Sequence, residues 1–225
     1  MREAAGILGV TPGRVRALVT SGYLPASKIS DRWLLEHGAV VRRQHEDPAR
    51  GRPFTPRNAW ALLMLASGEF SGELNPSVRS RLKRALRQEG LERLRPRLGG
   101  RARALPYRTH PGEAPYLLED PLLVRSGISA AAEQGLGLVS GREADGYIAA
   151  NDLEMFVKNH ALAPAVQAEA NVRLRVVPDE AWPLLVSRIV APKAAVALDL
   201  SEDPDARSAQ AGRQVLRELD QTWKE

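Results

Sequence analysis

In the stretch TPGRVRALVT, residues 11 to 20, Val15, Leu18 and Val19 keep the i, i+3, i+4 spacing of a buried helical stripe. Thr11, Gly13, Ala17 and Thr20 form a small, open opposite face, flanked by Arg14 and Arg16. Guanidinium forks beside such a face suit two kinds of acceptor. Phosphate oxygens take charge-assisted hydrogen bonds, and guanine O6 and N7 take a bidentate pair. Arg14, at the start of the helix with Thr11 and Gly13, is placed for a base edge, and Arg16, on the shoulder, for phosphate. Lys28 and Arg32, on two short strands that follow, would reach the neighbouring backbone. In NPSVRSRLKRALRQEGLERL, Val78, Leu82, Leu86 and Leu94 take one side, while Arg79, Arg81, Lys83, Arg84 and Arg87 spread over the rest. Such cations add affinity for phosphates without reading sequence.

Other chemistries fail on spacing. His37, His45, His110 and His160 have no second ligand at i+3 or i+4, and the absence of cysteine removes thiolate nucleophiles, disulfides and cysteine-based zinc sites. Gly135, Gly137 and Gly141 match neither the dinucleotide fingerprint nor the phosphate loop, and Ser129 lacks the glycine of a nucleophile elbow. Asp199, Glu202, Asp203 and Asp205 surround a proline at a helix start, where carboxylates cap and offset the helix dipole. Arg173 and Arg175 alternate with Val172, Leu174 and Val176, which reads as the wet face of a half-buried strand. No catalytic residue, metal or cofactor is expected, and the chain is not read as an enzyme.

The elements that must position these residues are punctuated by a cap followed by proline: Thr11-Pro12, Thr55-Pro56, Asn75-Pro76 and Asp203-Pro204. A first helix over Arg2 to Leu8, with Ala4, Ala5 and Leu8 inward, is ended by Gly9; a second, from Pro12, is ended by Gly22. Two strands about a turn at Ser30-Asp31 follow, with Ile29, Trp33 and Leu35 available for burial. The apolar helix TPRNAWALLMLASGE, with Trp60 and Leu63 inward, is expected to cover this small unit. After Pro96, glycine, proline and arginine read as a linker. Strands PLLVRSG, DGYIA and NVRLRVV then mix with helices at Ser129–Gln134, NDLEMFVKNHAL, APKAAVALDL and DPDARSAQAGRQVLREL. The expected fold class is α+β. Its four parts are residues 1–50, 51–98 as a helical extension, 99–111 as the linker and 112–225 as a small mixed α/β domain.

Charge sharpens the division. Residues 1 to 110 hold 21 Lys and Arg against 9 Asp and Glu, a balance of +12, whereas residues 111 to 225 hold 11 against 18, or −7. This is the pattern of a nucleic-acid-binding half joined to a half with another task. No apolar run is long enough to span a membrane, and the first residues enter a helical pattern without a signal-peptide core, so a cytoplasmic, non-membrane location is expected.

REAAGILGVTPGRVRALVTSGYLPASKISDRWLL, with its Ala-Ala, Leu-Gly-Val, Arg-bearing helix, Gly-x-Leu-Pro and terminal Trp, resembles the winged helix-turn-helix of excisionases and the MerR superfamily. That resemblance implies binding of double-stranded DNA through the second helix and wing, and carries onto Arg14, Arg16, Lys28 and Arg32. Metal sensing by thiolates, known in that superfamily, is excluded. THPGEAPYLLEDPLLVRSGISAAAEQGL, GYIAANDLEMFVKNHAL and APKAAVALDLSEDPDARSAQAGRQVLREL are similar to the C-terminal part of AbiEi-like bacterial antitoxins. This implies a transcriptional repressor of its own operon within a toxin-antitoxin pair, with a cognate toxin as partner. A homodimer on a palindromic operator is a further expectation. The alternatives are an excisionase-like architectural protein and a nucleic-acid-processing enzyme guided by its winged domain.

Overall fold

A computed structural model of the chain describes residues 1–20, 24, 26–29, 32–35, 39–40, 52–70, 74–138 and 141–224; the side chains of residues 20, 27–29, 32 and 34 lie outside that description. Two compact units divide it, Met1–Arg50 and Gly51–Glu225.

In the first unit, helix α1 (Arg2–Leu8) buries Ala4 and Ala5 and stops at Gly9, whose φ of 63° is the left-handed conformation that closes a helix. Helix α2 (Pro12–Thr20) starts three residues later, and Thr11 Oγ1 accepts from the Arg14 N–H at 3.3 Å. Val15, Leu18 and Val19 join Ala4, Ala5, Leu24 and Val40 in a small core. Strands β1 (Ala26–Ile29) and β2 (Arg32–Leu35) form an antiparallel hairpin with Ile29 opposite Arg32. The proposed helix end at Gly22 and the turn at Ser30-Asp31 lie outside the described residues. Leu35, at the base of the hairpin, packs on the core, but Trp33, on the same side and two residues nearer the tip, stays 37% exposed. Its expected burial is therefore corrected: Trp33 stands outside the small core that Leu35 joins.

The second unit is built on a five-stranded sheet of order β4-β5-β7-β3-β6: β4 (Val124–Arg125), β5 (Ala144–Ala149), β7 (Val172–Val177), β3 (Arg103–Arg108) and β6 (Ala163–Pro164). β5 and β7 are parallel and the other pairs antiparallel. A parallel pair needs a crossover, here through helix α7 (Leu153–Asn159), and so brings cover to a sheet face. On that face Ile148, Val172, Leu174 and Val176 pack with Phe156 and with Leu117 of α5 (Ala114–Glu119). The opposite face carries Tyr147 and Val177 and meets a larger core. That core contains α3 (Pro56–Ala66), α4 (Pro76–Leu94), α8 (Lys193–Ser201) and α9 (Ala206–Thr222). Between them, α6 (Gly127–Ala130) is shorter than the expected helix and ends before Gln134.

Three expectations change here. α3 belongs to the core of the second unit: every residue from Ala59 to Ala66 is buried, and a helix apolar all round requires cover on all sides. The 51–98 segment and residues 112–225 therefore share one core. The expected linker, 99–111, instead forms a 3-10 turn at Gly99–Arg101 and strand β3 inside the sheet. Pro106 is tolerated there because its carbonyl accepts from the Ala165 N–H, so its missing donor faces the short β6 edge. Finally, the N-cap of α9 is Asp205, which accepts from the Ser208 N–H at 2.8 Å, and not Asp203.

Candidate nucleic-acid interface

Burial of Val15, Leu18 and Val19 against α1 turns the other side of α2 outward, so Thr11, Gly13, Arg14, Arg16 and Ala17 are exposed. A Cβ at Gly13 would meet only Thr11 Oγ1 at 3.9 Å, so the start of α2 is open to a close neighbour. Thr20 closes the helix. On the hairpin, Lys28 is opposite Trp33 and Arg32 is opposite Ile29; the side chains of Thr20, Lys28 and Arg32 lie outside the described residues. The result is a helix, a tight turn, a second helix with cations on its open face, and a two-stranded ribbon.

The remaining candidate cations are in the second unit. On α4, Leu82, Ala85 and Leu86 face the core while Arg79, Arg81, Arg84 and Arg87 are exposed and Lys83 is half-buried. At 3.6 residues per turn these five spread over about 200° of the helix, on the side away from Leu82, Ala85 and Leu86. Lys83 and Arg87 within that arc border a groove against the end of α9. α4 is also interrupted: Gly90 has φ 76° and ψ 165°, and the helix resumes with the Leu91 N–H donating to Asp220 Oδ1 at 2.6 Å.

The unit boundary redistributes the charge. Residues 1 to 50 hold 8 Lys and Arg against 5 Asp and Glu, whereas residues 51 to 110 hold 13 against 4. The basic 51–110 segment therefore shares one body with the acidic remainder, and residues 51 to 225 together hold 24 Lys and Arg against 22 Asp and Glu.

Sequence reasoning missed a charged cluster inside that body. Arg101, Arg175, Asp145 and Asp199 are each 4% exposed or less. Asp199 Oδ1 accepts from Arg101 Nη2 at 2.7 Å and pairs with Arg175 Nη1 at 2.9 Å, and its Oδ2 accepts from Ser126 Oγ at 2.5 Å. Arg175 also donates twice to Asp145, at 2.7 and 2.9 Å, and Arg173 bridges Asp145 and Asp203. Arg101 reaches Glu202 at 2.9 Å, and its carbonyl accepts from Trp60 Nε1, whose ring stands edge-on to Tyr147 at 4.7 Å.

This corrects two readings. Arg173 and Arg175 do not form a wet face, because α8 covers that side of the sheet, and Asp199 is the buried counter-charge of two arginines and not a helix cap. Burial opposes ionisation of Asp199, but Arg175 and Arg101 outweigh it and hold its carboxyl below the usual range. Burial pushes the Tyr147 phenol far up. Ser126 is wholly buried with its hydroxyl committed to Asp199, so it offers no nucleophile to a substrate. The cluster ties the 3-10 turn, β5, β7 and α8 together.

Among the described residues, no group of three His, Cys, Asp or Glu is arranged to hold a metal, and no helix is long and apolar enough to cross a membrane. No family model, curated protein or solved structure matches this chain.

Proposed function

We propose that this chain is a DNA-binding transcriptional regulator that reads an operator through α2 and represses its own operon as the antitoxin of a bacterial toxin-antitoxin pair. The observation that carries the DNA-binding reading is the division of α2: its apolar stripe is spent on the core, and Arg14 stands exposed at the open N-terminal end of the helix beside Thr11 and Gly13. Recognition helices present this end to base edges in the major groove. Arg14 takes the base-reading role and Arg16 the phosphate role. The β1–β2 hairpin serves as the wing, through Lys28 and Arg32. Arg79, Arg81 and Arg84 of the second unit add sequence-independent phosphate affinity.

Selection of binding sites from randomised duplexes tests this reading. The wild-type chain is expected to enrich a motif, and Arg14→Ala to cost about 1–3 kcal/mol at that site and relax one position. An unchanged motif with Arg14→Ala would remove Arg14 from base reading. The antitoxin role draws on the likeness of the second half to AbiEi-like antitoxins, with a toxin or a second copy as the partner of that unit. Co-expression with the product of the adjacent gene tests it: rescue of growth supports the role, and a harmless neighbour speaks against it.

A further inference from the structure

A groove of about 780 Å³ lies within the second unit between the C-terminal end of α3, the Lys83–Arg87 flank of α4 and the last turn of α9. Its apolar surface comes from Leu65, Leu219 and Trp223, and its charged lining is Lys83, Arg87 and Lys224. Trp223 is fixed as a wall by the hydrogen bond from its Nε1 to the Ala66 carbonyl at 3.4 Å. Lys83 and Arg87 are one helical turn apart, with Lys224 contributed by the end of α9. Among the described residues none of the three cations makes an ion pair. Lys224 is close enough to Asp220 to act on its carboxylate through charge, and that carboxylate also accepts from the Leu91 N–H; Lys83 and Arg87 supply the rest of the positive lining.

Like charges gathered around one groove repel each other, and an anion placed among them relieves that repulsion. The apolar surface narrows the choice of anion. A duplex offers a groove mainly sugars and phosphates, which would leave Leu219 and Trp223 uncovered. An amphipathic segment with carboxylates on its flank meets both demands, as an apolar helix face does when it lies in a groove.

We infer that this groove docks an acidic amphipathic segment of a protein partner, with apolar side chains on Leu65, Leu219 and Trp223 and carboxylates toward Lys83, Arg87 and Lys224. The inference gives the partner-binding role of the second unit a location and a chemistry. Its failure would leave DNA reading through α2 untouched, because the two are measured with different probes.

The test uses the full chain and a fluorescent synthetic helix of about four turns, with leucines at i, i+3, i+4 and i+7 and glutamates beside them. Anisotropy is expected to show saturable binding. It should be weakened about tenfold or more when the leucines become serine, when the glutamates become glutamine, and in Lys83→Glu/Arg87→Glu. Lys224→Glu, at the exposed end of α9, gives a second, independent variant if the double one fails to fold. Three results would overturn the proposal: no saturable binding, equal binding of the serine peptide, or displacement of the peptide by a single-stranded oligonucleotide that binds the wild-type groove more tightly.

Discussion

Replacing Asp199 by alanine removes the one carboxylate that touches Arg101, Arg175 and Ser126 together. Breaking a buried ion pair from one side costs about 3–5 kcal/mol, because the partner charge is left in the interior. Here neither arginine is wholly abandoned. Arg175 keeps its bidentate pair with Asp145, and Arg101 keeps Glu202, which lies partly in solvent. The expected loss therefore lies at the lower end, about 3 kcal/mol, a large part of the roughly 5–15 kcal/mol of a typical domain. Urea unfolding followed by circular dichroism measures it. The pH dependence is a second signature. The folded pKa of Asp199 lies below its unfolded value, so its contribution is present above the ordinary carboxylate range and is lost as pH falls through the folded value. The acid limb of the stability curve should be flatter in Asp199→Ala than in the wild type. A loss below about 1 kcal/mol, with an unchanged acid limb, would refute the reasoning that an uncompensated interior charge sets the cost.

Gly212→Ala should destabilise by about 1–3 kcal/mol, because a Cβ there would sit 2.5 Å from the Ala197 carbonyl oxygen and the Ser201 nitrogen where α9 crosses α8. A gain of the size usual for Gly→Ala within a helix, seen as a higher urea midpoint, would show that the crossing has room. Arg81→Ala and Arg84→Ala should each lower the salt dependence of DNA binding by about 0.9 in log K against log salt, equally for all sequences; an unchanged slope in salt titrations removes them from the phosphate contacts. Tyr147→Phe should leave the phenolate absorbance seen before alkaline unfolding unaltered, since burial holds that phenol protonated. A smaller folded-state amplitude in the variant would mean Tyr147 ionises in place.

Local chemistry was legible in the sequence where one short segment decides the outcome. Gly9 ends α1 because a left-handed residue is cheap only without a Cβ. The side chains of Thr55 and Asn75 accept the first N–H groups of α3 and α4 as a cap before proline should. The i, i+3, i+4 stripe of α2 named its buried residues and, by subtraction, its exposed arginines. The buried cluster did leave traces. Asp199 interrupts the otherwise apolar AAVALDL, and Arg175 sits in VRLRVV on the same strand face as Val177, which is buried. A lone charge within an apolar element signals a partner elsewhere, but the partner's identity depends on distant pairing. Arg101 and Asp199 are 98 residues apart. The charge division misled for a related reason: counted along the chain it separates a basic half from an acidic one, yet residues 51 to 110, with 13 cations against 4 acids, fold into one unit with the acidic half that offsets them.

The sequence by itself determined the stop at Gly9, the starts at Thr55 and Asn75, the two hairpin strands and which side of α2 is open, because caps, glycine and apolar periodicity act within a turn or two of chain. The tertiary structure alone decided that residues 103–108 of the expected linker become a strand, that β5 and β7 are covered on both faces, and that Arg175 and Asp199 are interior partners. Those outcomes depend on which surfaces meet. Alternation along a strand names its two faces, but only the packing of α8 over the second face decides whether its charges meet water or each other.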